Sequence, residues 1–155
     1  MPSGTNRPSV GRYRLQRRVH FYETDTAGIV HFSWFYRYME EAEHALWRSA
    51  GLTIAPPDME IGFPRVAAAF DFHKPLRFED EFEVDLSIVE IGEKTIRYNA
   101  RIVRNEISIA TGSLTIACVR KRAGQAMTAV AIPPEIASRF RIADSSLTKP
   151  PQTKR

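Results

Sequence analysis

The sequence has little of what disulfide-linked, membrane-spanning and metal-binding proteins require. Its one cysteine cannot form an intramolecular disulfide, and Cys118 lies in an apolar run that predicts a buried small side chain. No apolar stretch approaches the roughly 18 residues of a membrane span, and residues 1–18 lack the apolar segment of a signal peptide. The four histidines are not spaced with cysteines or carboxylates as metal ligands are. We therefore expect a cytoplasmic protein without a membrane span or a metal site.

The net charge of +4 at pH 7 comes from the two ends of the chain. Residues 1–20 hold five Lys or Arg and no acid, and residues 139–155 hold five and one acid, which leaves 12 basic and 17 acidic residues between them. Basic residues are not interleaved with exposed aromatic ones, as they are in proteins that bind single-stranded nucleic acids. We therefore expect no nucleic-acid partner.

A length of 155 residues favours one domain, long enough to bury roughly 70% of the surface of its unfolded chain. Residues 1–11 and 143–155 are polar and contain several prolines, glycines or lysines. Such compositions are typical of disordered ends. The sequence therefore predicts a disordered N-terminal arm (1–11), a folded domain (12–142) and a disordered tail (143–155).

Most of the predicted domain alternates apolar and polar residues with the period of two that indicates β-strands. One strand is predicted over 13–21, and four more are predicted over 66–72, 82–91, 95–104 and 107–118. Short connections at 92–94 and 105–106 favour antiparallel pairing of these strands with their chain neighbours. In the last strand the apolar positions change phase at Gly112, which predicts a β-bulge there.

One long helical pattern lies between the first strand and the other four. Apolar residues at three- and four-residue steps form a stripe that predicts the buried side of this helix: Phe35, Tyr38, Met39, Ala42, Leu46 and Ala50. Ser33 is the predicted N-cap, and Gly51 can close the helix in the left-handed conformation. The proline-containing segment 52–64 predicts a connecting loop, and Pro134 predicts the start of a short second helix. These elements predict an α+β fold, with about five antiparallel strands covered on one face by one long central helix.

A loop that carries Glu23, Asp25 and Gly28 leads into this helix. The N-terminal end of a helix has free N–H groups and a partial positive charge, which can stabilise an oxyanion. Asp25 can supply a nucleophile or a base, and Gly28 would permit the turn that directs the loop to the helix. Alternatively, Asp25 caps a turn, and Glu23 is either a supporting acid or a solvated loop residue. Glu40 and Glu41, on the helix, are rival carboxylates.

The segment 21–30, FYETDTAGIV, resembles the loop of the 4-hydroxybenzoyl-CoA thioesterase family. The family pattern is an aromatic residue, then Asp/Glu-x-Asp-x-x-Gly-x-Val, then the central helix. The resemblance extends over residues 13–142, and Ile132–Glu135 is similar to the family's C-terminal end. It implies a hotdog fold, in which an antiparallel sheet wraps around one helix, and an acyl-CoA thioesterase activity. It also implies a homodimer or homotetramer with sheets joined edge to edge and sites shared between subunits, and no cofactor beyond the coenzyme A of the substrate.

The resemblance assigns the role of catalytic carboxylate to Asp25, which attacks the thioester carbonyl or activates water. It places the backbone N–H that polarises the carbonyl at Phe32, with His31 and Ser33 as near alternatives. Some members have Tyr-His where this chain has His31-Phe32, so the histidine is displaced by one residue and its assisting role does not transfer. Members that act on 1,4-dihydroxy-2-naphthoyl-CoA or 4-hydroxybenzoyl-CoA have aromatic residues at both positions, and Phe32 fits these better.

Other residues are candidates for contacts with the substrate. These candidates are Tyr22, Gly28, Ser33, Phe35, Arg97 and Arg101. The aromatic ones serve either the acyl group or the packing of the core and dimer. The two arginines lie on predicted strands, where they either bind the phosphates of coenzyme A or are solvated residues of a sheet face. His31 is either a donor that lines the pocket or a residue that starts the helix.

Two other functions are compatible with the residues. His31 with Glu40 or Glu41 could move protons at carbon, as in hotdog hydratases and dehydratases that act on acyl thioesters. If Asp25 is structural, the chain would instead be a non-catalytic acyl-CoA-binding module. The acyl group is not determined, because pocket depth depends on how Ala67–Ala69 and other segments pack.

Overall fold

The computed structural model describes residues 8–144, in which a five-stranded sheet packs on a long helix and a small sheet lies beside them. The elements in chain order are β1 (Arg12–Arg18), α1 (Ser33–Ser49), β2 (Ile61–Gly62), β3 (Arg65–Phe72), β4 (Glu81–Ile91), β5 (Thr95–Arg104), β6 (Ile107–Ala117), β7 (Val119–Arg120), β8 (Thr128–Ala129) and α2 (Pro134–Ala137). The main sheet is antiparallel with the order β1-β4-β5-β6-β3, and the small sheet has the order β2-β7-β8. The predicted disordered arm and tail fall mostly on residues 1–7 and 145–155, which lie outside the described residues.

Helix α1 lies across one face of the main sheet and contacts β1, β3 and β4. The predicted apolar stripe of the helix is confirmed, since all of its residues are buried. Alternate side chains of the sheet join the same core, among them Phe82, Val84, Leu86, Ile88, Ile96, Tyr98, Ile102, Ala110, Leu114 and Ile116. Full burial of one large apolar side chain is worth about 1.5–3 kcal/mol. The predicted α+β hotdog architecture, with five antiparallel strands around one central helix, is therefore confirmed.

The predicted pairing of each strand with its chain neighbours is wrong for β3. Strands β4, β5 and β6 form a meander, whereas β3 pairs with β6 and β1 pairs with β4. The connection 73–80 explains the difference, because it is attached to the loop before α1. The Val30 N–H donates to the Leu76 carbonyl at 2.8 Å, and Ile29 forms a bridge with Arg77. The chain therefore passes the N-terminal end of the helix on its way from the β3 edge of the sheet to β4, beside β1.

Strand β1 ends at Arg18 rather than at residue 21 as predicted. Residues Phe21–Glu23 form a single 3-10 turn instead. The His20 N–H donates to the carboxylate of Glu23 at 2.7 Å, so it does not take part in the hydrogen bonding between strands. A side chain of the loop thus ends the strand, and the alternation of apolar residues could not show this.

The β-bulge predicted at Gly112 lies at Ile109 instead. Ser108 and Ala110 pair with consecutive residues of β5, which leaves Ile109 without a partner in the ladder. Ile109 and Ala110 are both buried, so the apolar phase changes there and not at the glycine. A Cβ on Gly112 would lie 2.7 Å from the ring of Phe70, which explains why this strand position has no side chain.

Several local predictions about turns and helix ends are confirmed. Gly51 has a φ of +78° and follows the last turn of α1. Asn105 and Glu106, with φ of +50° and +64°, form the two-residue turn between β5 and β6. Residues 92–94 connect β4 and β5, and Pro134 begins α2. At these positions the conformational preference of one or two residues is sufficient to determine the local backbone conformation.

Within residues 8–144, no helix is long and apolar enough to cross a membrane. The same residues contain no group of three or more His, Cys, Asp or Glu side chains that could hold a metal ion. Cys118 is buried in the core, as its apolar run predicts.

The polar side of α1 contains one residue whose environment the helical pattern does not indicate. Glu43 is fully buried and forms an ion pair with Arg65, at the start of β3. Burial raises the pKa of Glu43 to about 7, although the charge of Arg65 and a hydrogen bond with Tyr98 oppose the rise. The Tyr98 hydroxyl also accepts the indole N–H of Trp47 at 2.9 Å. The carboxyl group of Glu43 therefore keeps its proton to a higher pH than an exposed glutamate does.

Replacing Glu43 by Gln should reduce the pH dependence of stability. The native pKa of about 7 exceeds the ordinary value of 4.5, so the native state binds the proton more tightly than the unfolded chain. The resulting stabilisation is complete below pH 4.5 and is lost as the pH rises through 7, a change of about 3 kcal/mol. Urea unfolding at pH 4.5 and pH 8, at one protein concentration, should show a smaller loss for E43Q than for the native protein. Equal losses in the two proteins would contradict this assignment.

Candidate active site

The loop between β1 and α1 folds back on itself through backbone hydrogen bonds. The Asp25 N–H donates to the Ile29 carbonyl at 2.9 Å, and the Gly28 N–H donates to the Asp25 carbonyl at 3.0 Å. Further along, the His31 N–H donates to the Glu23 carbonyl at 2.9 Å. Gly28 has a φ of +78°, a conformation that strains any residue with a Cβ. Gly28 therefore provides the turn that returns the loop to the helix, as the sequence predicts.

Asp25 lies at the start of this turn, and its side chain is half-buried. Its Oδ1 atom accepts the Ala27 N–H at 2.8 Å, so one oxygen caps the turn. Its Oδ2 atom has no hydrogen-bond donor among the described residues. The turn-capping interpretation and a catalytic role are therefore compatible, because each uses a different oxygen.

The backbone N–H groups that lead into α1 differ in whether they have a partner. The His31 N–H donates to the Glu23 carbonyl, and the Ser33 N–H donates to Nδ1 of His31 at 3.3 Å. The Phe32 N–H has no acceptor within residues 8–144. Of the three neighbouring donors considered from the sequence, Phe32 thus presents the N–H that a ligand can use.

The prediction that Ser33 is the N-cap is wrong. Helix α1 begins at Ser33, and Phe32 occupies the cap position without a side-chain hydrogen bond. The Ser33 hydroxyl lies 2.8 Å from Nδ1 of His31, and the His31 ring packs against the Phe32 ring at 4.6 Å between centroids. The Ser33 N–H also points to Nδ1, so both the backbone and the side chain of Ser33 contact this ring nitrogen. His31 therefore contributes to the start of the helix.

Exposed aromatic side chains surround the loop and the start of α1. They are Phe21, Tyr22, Phe32, Phe72 and Phe78, between 47% and 74% exposed, and we call them the aromatic patch. Phe35 is buried beneath the patch and contacts Phe72 at 5.0 Å between ring centroids. Large apolar side chains exposed together in this way are typical of a surface that binds a ligand or another chain.

The arginines predicted to bind phosphate lie on the face of the sheet that points away from α1. Arg97 forms an ion pair with an acid of β4 at 3.2 Å. Arg101 lies 3.9 Å from Asp85 and lines a depression of about 410 Å³ on that face. Within one chain the fold does not bring either arginine to the loop, and their role in substrate binding stays a prediction. Arg77 does lie beside the loop, through its bridge to Ile29, but no sequence pattern marks it.

The two helix carboxylates considered as rivals of Asp25 are engaged in ion pairs. Glu40 lies 3.2 Å from Arg65, and Glu41 lies 2.7 Å from Arg17. Neither is hydrogen-bonded to His31, whose ring bonds to a serine. The arrangement therefore does not support the proton-transfer pair considered for a hydratase.

Glu23 is fully buried, so its interpretation as a solvated loop residue is wrong. Its carboxylate accepts hydrogen bonds from Arg17, from the His20 N–H and from the Tyr38 hydroxyl. Burial alone would raise the pKa of Glu23, but these donors together lower it below its ordinary value. The sequence motif gives no sign of this environment, because Arg17 and Tyr38 come from other elements of the fold.

Comparison with known proteins identifies the family. Residues 19–140 match the family model of the Thioesterase-like superfamily. The chain belongs to this superfamily. Among its relatives, the 1,4-dihydroxy-2-naphthoyl-CoA hydrolase of Synechococcus elongatus is 27% identical over 73% of this chain and 85% of its own. The acyl-CoA thioesterase YbgC of Haemophilus influenzae is 25% identical over 79% of this chain and 90% of its own.

A solved structure of a gentisyl-coenzyme A thioesterase is also similar to this thioesterase-like chain. It is 29% identical, has a TM-score of 0.72, and covers 83% of this chain and 99% of its own. The family and the activity class that the loop motif implies are thus confirmed, since these relatives are named as hydrolases or thioesterases of CoA thioesters. This disfavours the hydratase and the non-catalytic binding module.

Replacing Gly28 by Ala should destabilise the fold and slow acyl-CoA hydrolysis. At a φ of +78° a Cβ costs about 1–2 kcal/mol, and the loop that carries Asp25 must shift to relieve the strain. Gly124 is a matched control, since it has a φ of +76° and, like Gly28, has no atom within 4 Å of an added Cβ. Urea unfolding should show similar losses for G28A and G124A, whereas thiol-release assays should show a slower rate for G28A alone. Native activity of folded G28A would show that this loop geometry is not required.

Proposed function

We propose that this protein hydrolyses the thioester of an acyl- or aroyl-CoA to the free acid and coenzyme A. Asp25 acts as nucleophile or general base, and the Phe32 N–H donates to the oxyanion. The observation that carries the proposal is that Oδ2 of Asp25, in the loop, and the Phe32 N–H, at the start of α1, are both without a partner among the described residues. A thioester needs little beyond such a pair, because a thiolate is a good leaving group.

The two routes open to Asp25 use the same donor. In the nucleophilic route, Oδ2 of Asp25 attacks the carbonyl carbon, the thiolate leaves, and water hydrolyses the mixed anhydride to regenerate the carboxylate. In the general-base route, Asp25 accepts a proton from water as the water oxygen attacks the same carbon, and the C–S bond then breaks to release the thiolate and the acid. In both, the Phe32 N–H and the positive end of α1 stabilise the oxyanion, and losing one such donor typically costs about 10²–10³ in kcat.

The aromatic patch favours an aroyl group as the preferred acyl group. Its rings offer apolar faces and edges around the loop, and an aromatic pair adds about 0.5–1.5 kcal/mol beyond simple burial. Two of the similar proteins have names that specify aroyl thioesters, naphthoyl-CoA and gentisyl-CoA. We therefore propose that aroyl-CoA esters are hydrolysed faster than palmitoyl-CoA.

The test is the release of free thiol from acetyl-, octanoyl-, palmitoyl-, benzoyl-, 4-hydroxybenzoyl- and 1,4-dihydroxy-2-naphthoyl-CoA. We expect kcat/KM of the native protein to be highest for the aroyl esters. Asp25→Asn should lose about 10²–10⁴-fold in kcat, because an amide is neither a nucleophile nor a base at neutral pH. Circular dichroism and urea unfolding would verify that the variant is folded.

Asp58→Asn is the control, because it makes the same change at an exposed acid of another loop and should leave the rate unchanged. Full activity of Asp25→Asn would remove Asp25 from its role, and Glu40→Gln and Glu41→Gln would then identify the carboxylate that acts. Tight binding of the esters with no thiol release would contradict hydrolysis and indicate an acyl-CoA-binding module.

The exposure of β3 supports the predicted homodimer. This strand is an edge of the main sheet, and all its residues except Phe70 are exposed. An exposed apolar edge strand readily pairs with another strand. We propose that the β3 strands of two chains pair antiparallel about a twofold axis. The Arg65 end of one strand would then lie beside the Phe72 end of the other, and two chains would border each aromatic patch. Assembly of two such dimers into a tetramer stays a prediction.

Replacing Val66 by Lys should convert the dimer to monomers and lower the hydrolysis rate. Val66 is 59% exposed on β3, and a charge there would be desolvated by a second chain. Ile107, which is 52% exposed in the β5–β6 hairpin, provides the control I107K. Light scattering after size-exclusion chromatography should give the monomer mass for V66K and the dimer mass for I107K. A dimer mass for both variants would contradict pairing through β3.

A further inference from the structure

The carboxylate of Glu23 is the centre of a buried cluster two residues before Asp25. Its Oε1 atom accepts from Arg17 at 2.8 Å, from the His20 N–H at 2.7 Å and from the Tyr38 hydroxyl at 3.0 Å. Its Oε2 atom forms an ion pair with Arg17 at 2.6 Å. The Glu23 side chain is 0% exposed, so these protein groups take the place of water around the charge.

The partners of Glu23 come from the elements before and after the loop and from the loop itself. Arg17 belongs to β1, His20 precedes the 3-10 turn, and Tyr38 belongs to α1. The backbone carbonyl of Glu23 also accepts the His31 N–H at 2.9 Å. One residue therefore links the strand before the loop, both ends of the loop, and the helix after it.

Stability alone does not require a charge at this position. A buried ion pair is often no more stabilising than apolar residues of the same volume, although removing one partner is strongly destabilising. Charge-assisted hydrogen bonds do add geometric specificity, because they have short lengths and preferred directions. What this cluster contributes is therefore a defined geometry for the loop residues next to it.

We propose that Glu23 is a positioning residue, which holds the Asp25 carboxylate and the Phe32 N–H at the separation that the tetrahedral intermediate requires. This inference rests on the proposed function of that pair. Asp25 follows Glu23 by two residues, and Phe32 directly follows His31, whose N–H is bonded to the Glu23 carbonyl. A misplacement of about 1 Å can cost about 100-fold in rate. Weakening the hold of Glu23 should therefore lower kcat.

A second buried cluster of the same composition supplies a matched control. Glu43 is also 0% exposed, forms an ion pair with Arg65 and is hydrogen-bonded to Tyr98. It lies ten residues after the start of α1, which corresponds to about 15 Å along the helix. Glu43→Gln therefore replaces the same residue type at the same burial, at a position outside the loop.

The experiment compares kcat, KM and the free energy of unfolding of the native protein, Glu23→Gln and Glu43→Gln. The substrate is the CoA ester of the panel that the native protein hydrolyses fastest. We expect Glu23→Gln to lose about 100-fold in kcat with little change in KM, and Glu43→Gln to keep the native kcat. A residue that only stabilises the fold would lower kcat in proportion to the folded fraction, which the unfolding curves measure. Native kcat in folded Glu23→Gln would overturn the inference.

Asp25→Asn distinguishes this inference from the proposed function. The alignment of carboxylate and donor matters only when both are present, so adding Glu23→Gln to Asp25→Asn should lower the residual rate by far less than about 100-fold. If Glu23→Gln lowers the rate by the same factor in the native protein and in Asp25→Asn, the proposed role of Glu23 is overturned and the role of Asp25 is not affected. Full activity of Asp25→Asn would overturn both.

A second variant keeps the test decisive if Glu23→Gln does not fold. Tyr38→Phe removes one hydrogen bond to Glu23 and leaves the ion pair with Arg17 in place. We expect a smaller loss of kcat in the same direction, again with little change in KM. Native kcat in folded Tyr38→Phe would then overturn the inference.

Discussion

The burial of one apolar helix stripe against one face of one sheet is the constraint on which the rest of the structure depends. Helix α1 supplies the apolar surface against which the buried side chains of the sheet pack, and neither layer can bury its side chains without the other. The stripe runs from Phe35 to Ala50, so it fixes the direction of the whole helix across the sheet. The N-terminal end of α1 is therefore held where the loop and the connection 73–80 meet.

Two buried clusters of Glu, Arg and Tyr side chains attach the helix to the edges of this sheet. Glu23 binds an arginine of β1 and a tyrosine of α1, whereas Glu43 of α1 binds an arginine of β3 and a tyrosine of β5. Strands β1 and β3 are the two edge strands, each with a neighbour in the sheet on one side. Each cluster therefore joins an edge strand to the helix through charge-assisted bonds, which have preferred directions.

The site combines this rigid support with an exposed surface. The loop is closed by its own backbone hydrogen bonds and by Gly28, yet one oxygen of Asp25 and the N–H of Phe32 have no partner among the described residues. The aromatic patch surrounds this pair, and β3 brings the same surface to an edge of the sheet. Binding of an acyl thioester and pairing of two chains would therefore use adjacent parts of one surface.

Local chemistry determined much of this protein. Periodicity was sufficient to predict the helix stripe and the strands, and single residues such as Gly51 were sufficient to predict the turns. The loop motif was sufficient to predict the family and the activity class. Each of these features depends on residues that are close together in the chain. The strand order, the bulge at Ile109 and the start of the helix were not predictable, since each depends on contacts between distant segments. Only the tertiary structure could show that Glu23 and Glu43 are buried, because their arginine partners come from separate strands. The tertiary structure also decided that the Phe32 N–H has no acceptor among the described residues, because this depends on which acceptors the neighbouring N–H groups use.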